Sequence, residues 1–181
     1  ALNSRCIAAT AMGLESINRR DFELYSECYR QLLIYGDEVN VQPLLEIWGA
    51  GVLNKLSDAI HIAIGAGHPK ASFLLDFYHL YRGTNSLDSL HVINGAILPV
   101  FHINDYPATP SRNELSDVDR VYPGDGICPF NKILPQLYDA GFRGALSLEL
   151  FNPEYWKPDI KTALKTGYDK VVFAIKKAML V

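Results

Sequence analysis

Ser72-Phe-Leu-Leu-Asp-Phe-Tyr-His79 is the stretch on which the reading of the fold turns. Phe73, Leu74 and Leu75 form a continuous apolar run, the pattern of a strand buried on both faces. The run then delivers two polar side chains, Asp76 and His79. An apolar strand that carries reactive residues at its C-terminal end is what an active site on a parallel α/β sheet requires.

Working outward, four more stretches read as strands: Arg5–Thr10, Gln42–Trp48, Ala96–Ile103 and Gly144–Leu150. The last three end in Glu46, His102 and Glu149. Helical spacing fills the intervals. Phe22, Tyr25, Cys28, Tyr29, Leu32 and Leu33 make one face of a helix over Asp21–Tyr35, with Gly36 as its expected stop. Leu53, Leu56, Ala59, Ile60, Ala63 and Ile64 make a second, closing at Gly65-Ala-Gly67. A third starts at Ser86–Leu90 and ends at Asn94-Gly95. A fourth spans Asn131–Ala140, with a kink expected at Pro135, and a last helix runs from Asp159 to the end. Between Asn104 and Cys128 lies a long polar loop that could close over a substrate or stand as a rigid surface excursion without gating.

Five alternations of strand and helix imply a parallel sheet with right-handed crossovers. A (β/α)8 barrel needs about 250 residues, so a chain of 181 supplies only five of its eight units. A doubly wound open sheet is the other arrangement. Either way the chain reads as a single domain over residues 1–181, in the barrel case strands four to eight.

Composition is that of an ordinary globular domain, 49% hydrophobic and 20% charged. A net charge of −3 offers no bulk attraction to nucleic acid or an anionic membrane. No apolar run reaches the roughly 18 residues of a spanning helix. Cys6, Cys28 and Cys128 are odd in number and lack C-x-x-C spacing, so they read as reduced, mostly buried fillers. The chain opens without methionine or a signal-like segment and reads as a fragment or a processed product. The expected location is cytoplasmic, with periplasm or export left open.

In a parallel sheet all strand C-termini lie at one end. Glu46, Asp76, His102 and Glu149 therefore converge without being neighbours in sequence. Three carboxylates and one imidazole suit a single divalent ion: Mn, Zn, Mg or Co. Each residue alone is unremarkable; the repetition on four successive units makes the case. His61 (mid-helix), His68 (before a strand) and His91 (beside a helix) lack that placement and receive no role.

Asp76-Phe-Tyr-His79, Phe101-His-Ile-Asn-Asp105, Asp119-Arg-Val-Tyr-Pro-Gly-Asp-Gly126 and Ser147-Leu-Glu-Leu-Phe-Asn-Pro-Glu-Tyr155 together resemble the sugar isomerase/epimerase superfamily. This is the xylose isomerase-like TIM-barrel group, with the nearest likeness to its inosose (2-keto-myo-inositol) isomerase branch. The resemblance runs from about Gln42 to the C-terminus. It implies metal ligands at Glu46, Asp76, His102 and Glu149, with Glu46 and Glu149 doubling as acid/base. It places His79 on substrate oxygens. Some epimerases carry an arginine a few residues beyond the metal histidine; here that place is near Ala108, and Arg120 is the better candidate for a substrate contact, ahead of Arg112. Arg120 serves equally as a loop-stabilising ion pair. Trp48 offers an aromatic wall for a sugar ring, whereas Phe77, Tyr78, Phe151, Tyr155 and Trp156 read first as core.

The implied reaction is isomerisation or epimerisation of a sugar, sugar phosphate or keto-inositol, through proton abstraction and a metal-stabilised enediolate. The alternatives are a dehydratase of the inosose or dehydroshikimate type and a non-catalytic truncated barrel. A nuclease of the endonuclease IV type would need more ligands and a basic face. The resemblance also implies three missing strands, so the sheet would have two open edges. Either the natural protein is longer or the chain completes itself as a homo-oligomer.

Overall fold

A computed structural model of the chain describes residues 4–179. Its elements run β1 (Cys6–Ala9), α1 (Phe22–Glu38), β2 (Gln42–Glu46), α2 (Leu56–Ala66), β3 (Phe73–Asp76), α3 (Phe77–Arg82), β4 (Val100–Ile103), α4 (Phe130–Asp139), β5 (Ala145–Leu148) and α5 (Ile160–Met179), with short 3-10 turns between. Residues 180–181, which the expected last helix included, lie outside the described residues.

All five strands pair in parallel and in sequence order, β1-β2-β3-β4-β5. A doubly wound sheet reverses its strand order at a switch point; none occurs here, and the sheet is an arc of a barrel. β3 is buried at every position. β1 and β5 are mostly half-buried or exposed, because each has a neighbour on one side only. Ile7 on β1 and Leu164 on α5 stay largely exposed for the same reason. Cys6 on β1 is half-buried and Cys28 on α1 is exposed, so of the three free cysteines only Cys128 is buried, contrary to the expectation. No helix among the described residues is long and apolar enough to cross a membrane.

Several boundaries differ from the sequence reading for local reasons. The third strand stops at Asp76, whose side chain accepts a hydrogen bond from His79 N at 2.8 Å and caps α3. Phe77–His79 are therefore helical. β4 starts only at Val100, after a 3-10 turn at Gly95–Ile97 and Pro99, since proline brings no donor to a ladder. The helix expected from Ser86 is a 3-10 helix over Leu87–Val92. α4 continues through Pro135.

Gly36 does not stop α1. The helix passes through it to Glu38, and Asn40, at φ 55°, makes the left-handed turn. Gly36 is instead a point of close approach: a Cβ there would run into Val41 O and come within 2.6 Å of Pro43 Cδ. Gly36→Ala is expected to cost about 1–3 kcal/mol by forcing α1 off β2, measured as a lower urea midpoint. An unchanged midpoint would show that the helix can shift freely.

Candidate metal centre

Register decides which side chains meet. Glu46 pairs with Leu74, two residues before Asp76; Asp76 pairs with His102; His102 pairs with Ser147, two residues before Glu149. Side chains alternate along a strand with a period of two. All four residues therefore project from one face, stepping around the arc near the C-terminal ends of their strands.

Asp76, His102 and Glu149 form a compact group, each offering a ligand atom within 4.8 Å of the others. His102 Nδ1 stands 3.3 Å from Glu149 Oε2, 3.7 Å from Asp76 Oδ2 and 3.8 Å from Glu46 Oε1. It is buried and makes no hydrogen bond. An imidazole nitrogen so placed, with no well-aligned hydrogen bond and three carboxylates around it, calls for a positive charge among them, either its own proton or a bound cation. It fits a hard or borderline cation whose ligands are oxygen and nitrogen. Glu46 stands at the rim of this group, not within its compact trio.

Around the trio are groups that hold it. Asn104 Nδ2 donates to Asp76 Oδ2 at 2.7 Å, while Asn104 Oδ1 accepts from Tyr78 N at 3.0 Å. Arg120 is almost wholly buried, 1% exposed. Its Nη1 donates to Glu149 Oε2 at 2.7 Å and Asp76 Oδ2 at 3.2 Å, and its Nη2 pairs with Asp117. The guanidinium also lies over the Tyr78 ring, 4.5 Å from its centroid. Asn104 and Asp117 escaped the sequence reading. Asn104 lies inside the quoted Phe101–Asp105 motif, and Asp117 lies one helical turn before Arg120; neither spacing by itself signals a role.

The remaining expected residues arrive at the same place. Glu46, Trp48, His79, Asp117, Arg120, Glu149 and Phe151 line one cavity. Trp48 stacks near His79, ring centroids 6.2 Å apart. His79 Nδ1 accepts from Gly49 N at 3.2 Å, and Nε2 meets Arg120 Nη2 at 3.1 Å. Of the aromatics, Phe77 and Tyr78 are core, whereas Phe151 walls the cavity and Trp156 is exposed. His61 packs on Phe22, and His68 faces Asp37 at 3.4 Å, well away from the cavity.

The two glutamates are electrostatically unlike. Burial, joined by the charges of Glu149 and Asp76, pushes the Glu46 carboxyl up. Burial also opposes ionisation of Glu149, yet His102 and Arg120 hold its carboxyl down to about 2. Burial works against charge on His102, but the carboxylates of Glu149, Asp76 and Glu46 outweigh it and raise the imidazole. A raised imidazole holds its proton more firmly, and a divalent ion must displace that proton to bind. Affinity for Zn²⁺ or Co²⁺ is therefore expected to fall with acidification, by up to about tenfold per pH unit below the His102 pKa. Calorimetric titrations across neutral pH check this; a flat profile would remove His102 from the ligand set.

The parallel arc and the cluster at its C-terminal edge together form a candidate metal site on part of an α/β barrel. A family model, the xylose isomerase-like TIM barrel, matches residues 2–170. The chain belongs to that family. Its curated relatives include the inosose isomerases of Bacillus licheniformis and Bacillus subtilis, each 30% identical over 125 residues, or 69% of this chain. The chain spans 45% of the length of each of those relatives. Among solved structures, the IolI protein with a bound zinc atom superposes with a TM-score of 0.87 at 24% identity, covering 98% of this chain and 65% of that one. An L-ribulose 3-epimerase gives a TM-score of 0.74 at 17% identity, covering 96% of this chain and 62% of that one. The family resemblance and the partial barrel expected from sequence are both borne out.

Proposed function

We propose that this chain carries the metal centre and the acid–base residues of an isomerase or epimerase for an unphosphorylated sugar, polyol or keto-inositol. The observation that carries the reading is His102 Nδ1, buried, without a hydrogen bond and faced by three carboxylates. The inosose isomerase relatives and the zinc in the IolI structure support it. A phosphate is a poor fit among these residues. Arg120 is already engaged by Asp76, Asp117 and Glu149, and the other charged groups on the cavity wall are carboxylates.

Asp76, His102 and Glu149 would hold the ion, with Glu46 as the fourth and outer ligand. A bound divalent ion supplies Lewis acidity toward a carbonyl oxygen and its neighbouring hydroxyl. Glu46, raised by burial, takes the proton from the carbon beside the carbonyl, because a carboxylate lifted above its ordinary range is the stronger base of the two. Glu149, held ionised by His102 and Arg120, stands on the far side of the strand series and exchanges a proton only when substrate draws it from those partners. Environments that separate two carboxylates in this way assign them different duties. His79, whose Nδ1 accepts from Gly49 N, presents Nε2 to a substrate oxygen, with the Arg120 guanidinium beside it as a fixed positive charge. Trp48 and Phe151 cover the apolar faces of a ring.

The test is incubation of keto-inositols and ketoses in heavy water with Zn²⁺ or Mn²⁺. Deuterium is expected at the carbon next to the carbonyl, and a chelator is expected to abolish its uptake. An unsaturated product would turn the assignment to the dehydratases. Ion binding without any exchange would mark a non-catalytic part of a barrel.

A further inference from the structure

One buried acid has no part in that chemistry. Asp105 lies beyond the end of β4 and is 1% exposed. Its carboxylate accepts four backbone N–H groups, two on each oxygen. Oδ1 takes those of Tyr106 and Cys128, both at 2.8 Å, and Oδ2 takes those of Gly124 at 2.9 Å and Gly126 at 3.0 Å. The backbone of the same residue forms a two-way bridge with Val121, at 3.0 and 2.9 Å. One residue thus grips the 121–128 segment at both ends, directly after Arg120. Gly126 closes against it so tightly that a Cβ there would collide with Tyr106 O and the Asp105 carboxylate.

We infer that Asp105 is a positioning residue: it fixes the segment that sets the Arg120 guanidinium against Asp76 and Glu149. The long loop after β4 is accordingly a fixed wall of the site in its second half, not a free lid. Only a carboxylate can make this contact. An asparagine keeps the shape but accepts at one oxygen, and its amide would face two backbone donors with donors of its own. The consequence for the ion rests on the metal-centre reading. Arg120 Nη1 and a divalent cation compete for the same two carboxylate oxygens, so how firmly Arg120 is held sets how tightly an ion binds.

The test is a double-mutant cycle on the full chain, with Co²⁺ as probe. Asp105→Asn is expected to tighten Co²⁺ binding about tenfold when Arg120 is present and to leave it unchanged when Arg120→Gln is already in place. An equal shift in both backgrounds, or no shift in either, overturns the inference, since a merely structural acid does not act through Arg120. If Asp105→Asn does not fold, Gly126→Ala disturbs the same grip from the opposite side and enters the same cycle. If the wild-type chain binds no Co²⁺, the metal-centre reading fails while the inference is still decided by NMR. A slowly exchanging Arg120 guanidinium signal is expected in the wild type and lost in Asp105→Asn; persistence of that signal overturns it.

Discussion

Replacing Glu46 by glutamine is expected to slow deuterium uptake into a keto-polyol substrate by about 10²–10⁴-fold, while ion binding weakens only a few-fold. The two effects separate because of where Glu46 stands. Its Oε1 lies 3.8 Å from His102 Nδ1, outside the compact group that Asp76, His102 and Glu149 make by themselves. On the proposed ligand set, an ion would keep three ligands when Glu46 is lost. The proton acceptor, by contrast, has no substitute on its side of the cavity, and glutamine of the same shape cannot take a proton. Glu149→Gln should behave differently. It removes a member of the compact group and strips Arg120 of its shortest contact to a ligand, at 2.7 Å, so ion binding and exchange fall together. Rates and ion affinities measured on both variants decide the matter. If Glu46→Gln exchanges at the wild-type rate, Glu46 is not the base; if Glu149→Gln alone keeps full ion affinity, the ligand set is wrong.

The second large effect concerns stability. Asp76→Ala is expected to cost about 3–5 kcal/mol, the usual range for removing one partner of a buried charged pair. Asp76 is fully buried and satisfies three donors at once: His79 N, Asn104 Nδ2 and Arg120 Nη1. The alanine loses the cap of α3, worth roughly 1 kcal/mol. It leaves the Asn104 amide without its acceptor and the Arg120 guanidinium short of one of its three carboxylates. Against a total stability of about 5–15 kcal/mol for a typical domain, this brings the protein close to unfolding. Asp76→Asn keeps the size and an acceptor for His79 N, so it should fold with a smaller loss and bind the ion poorly. Urea unfolding of the two variants provides the comparison. A loss below about 1 kcal/mol for Asp76→Ala would mean that Arg120 and Asn104 re-pair without it.

The candidate cluster was legible from sequence because apolar strand patterns end where its polar residues begin. Phe73–Leu75 before Asp76, and the apolar residues before Glu46, His102 and Glu149, mark strand ends without reference to any partner. The four motifs in order carried the family. The local errors have one kind of cause: tertiary contacts override local signals. Gly36 reads as a helix stop, yet its lack of a side chain serves the approach of α1 to β2. The polar, proline-rich segment after His102 reads either as a cover for the substrate or as a rigid surface excursion, and sequence alone does not show that Asp105 gathers four of its backbone donors. The cysteines read as mostly buried, yet Cys6 is half-buried and Cys28 is exposed.

What the sequence by itself determined is the kind of sheet, the polar residues at its C-terminal end and the family, since these depend on periodicity and local chemistry along the chain. What only the tertiary structure decided is how those residues are placed relative to one another. Register puts Asp76 level with His102 and sets Glu46 and Glu149 at staggered heights on the same face, a relation between strands that no single strand encodes. The burial that raises Glu46, the pairing that holds Glu149 at about 2 and the grip of Asp105 on the segment beside Arg120 are likewise set by distances between residues remote in sequence. Electrostatics and packing act through space, so they became readable only once the chain was folded.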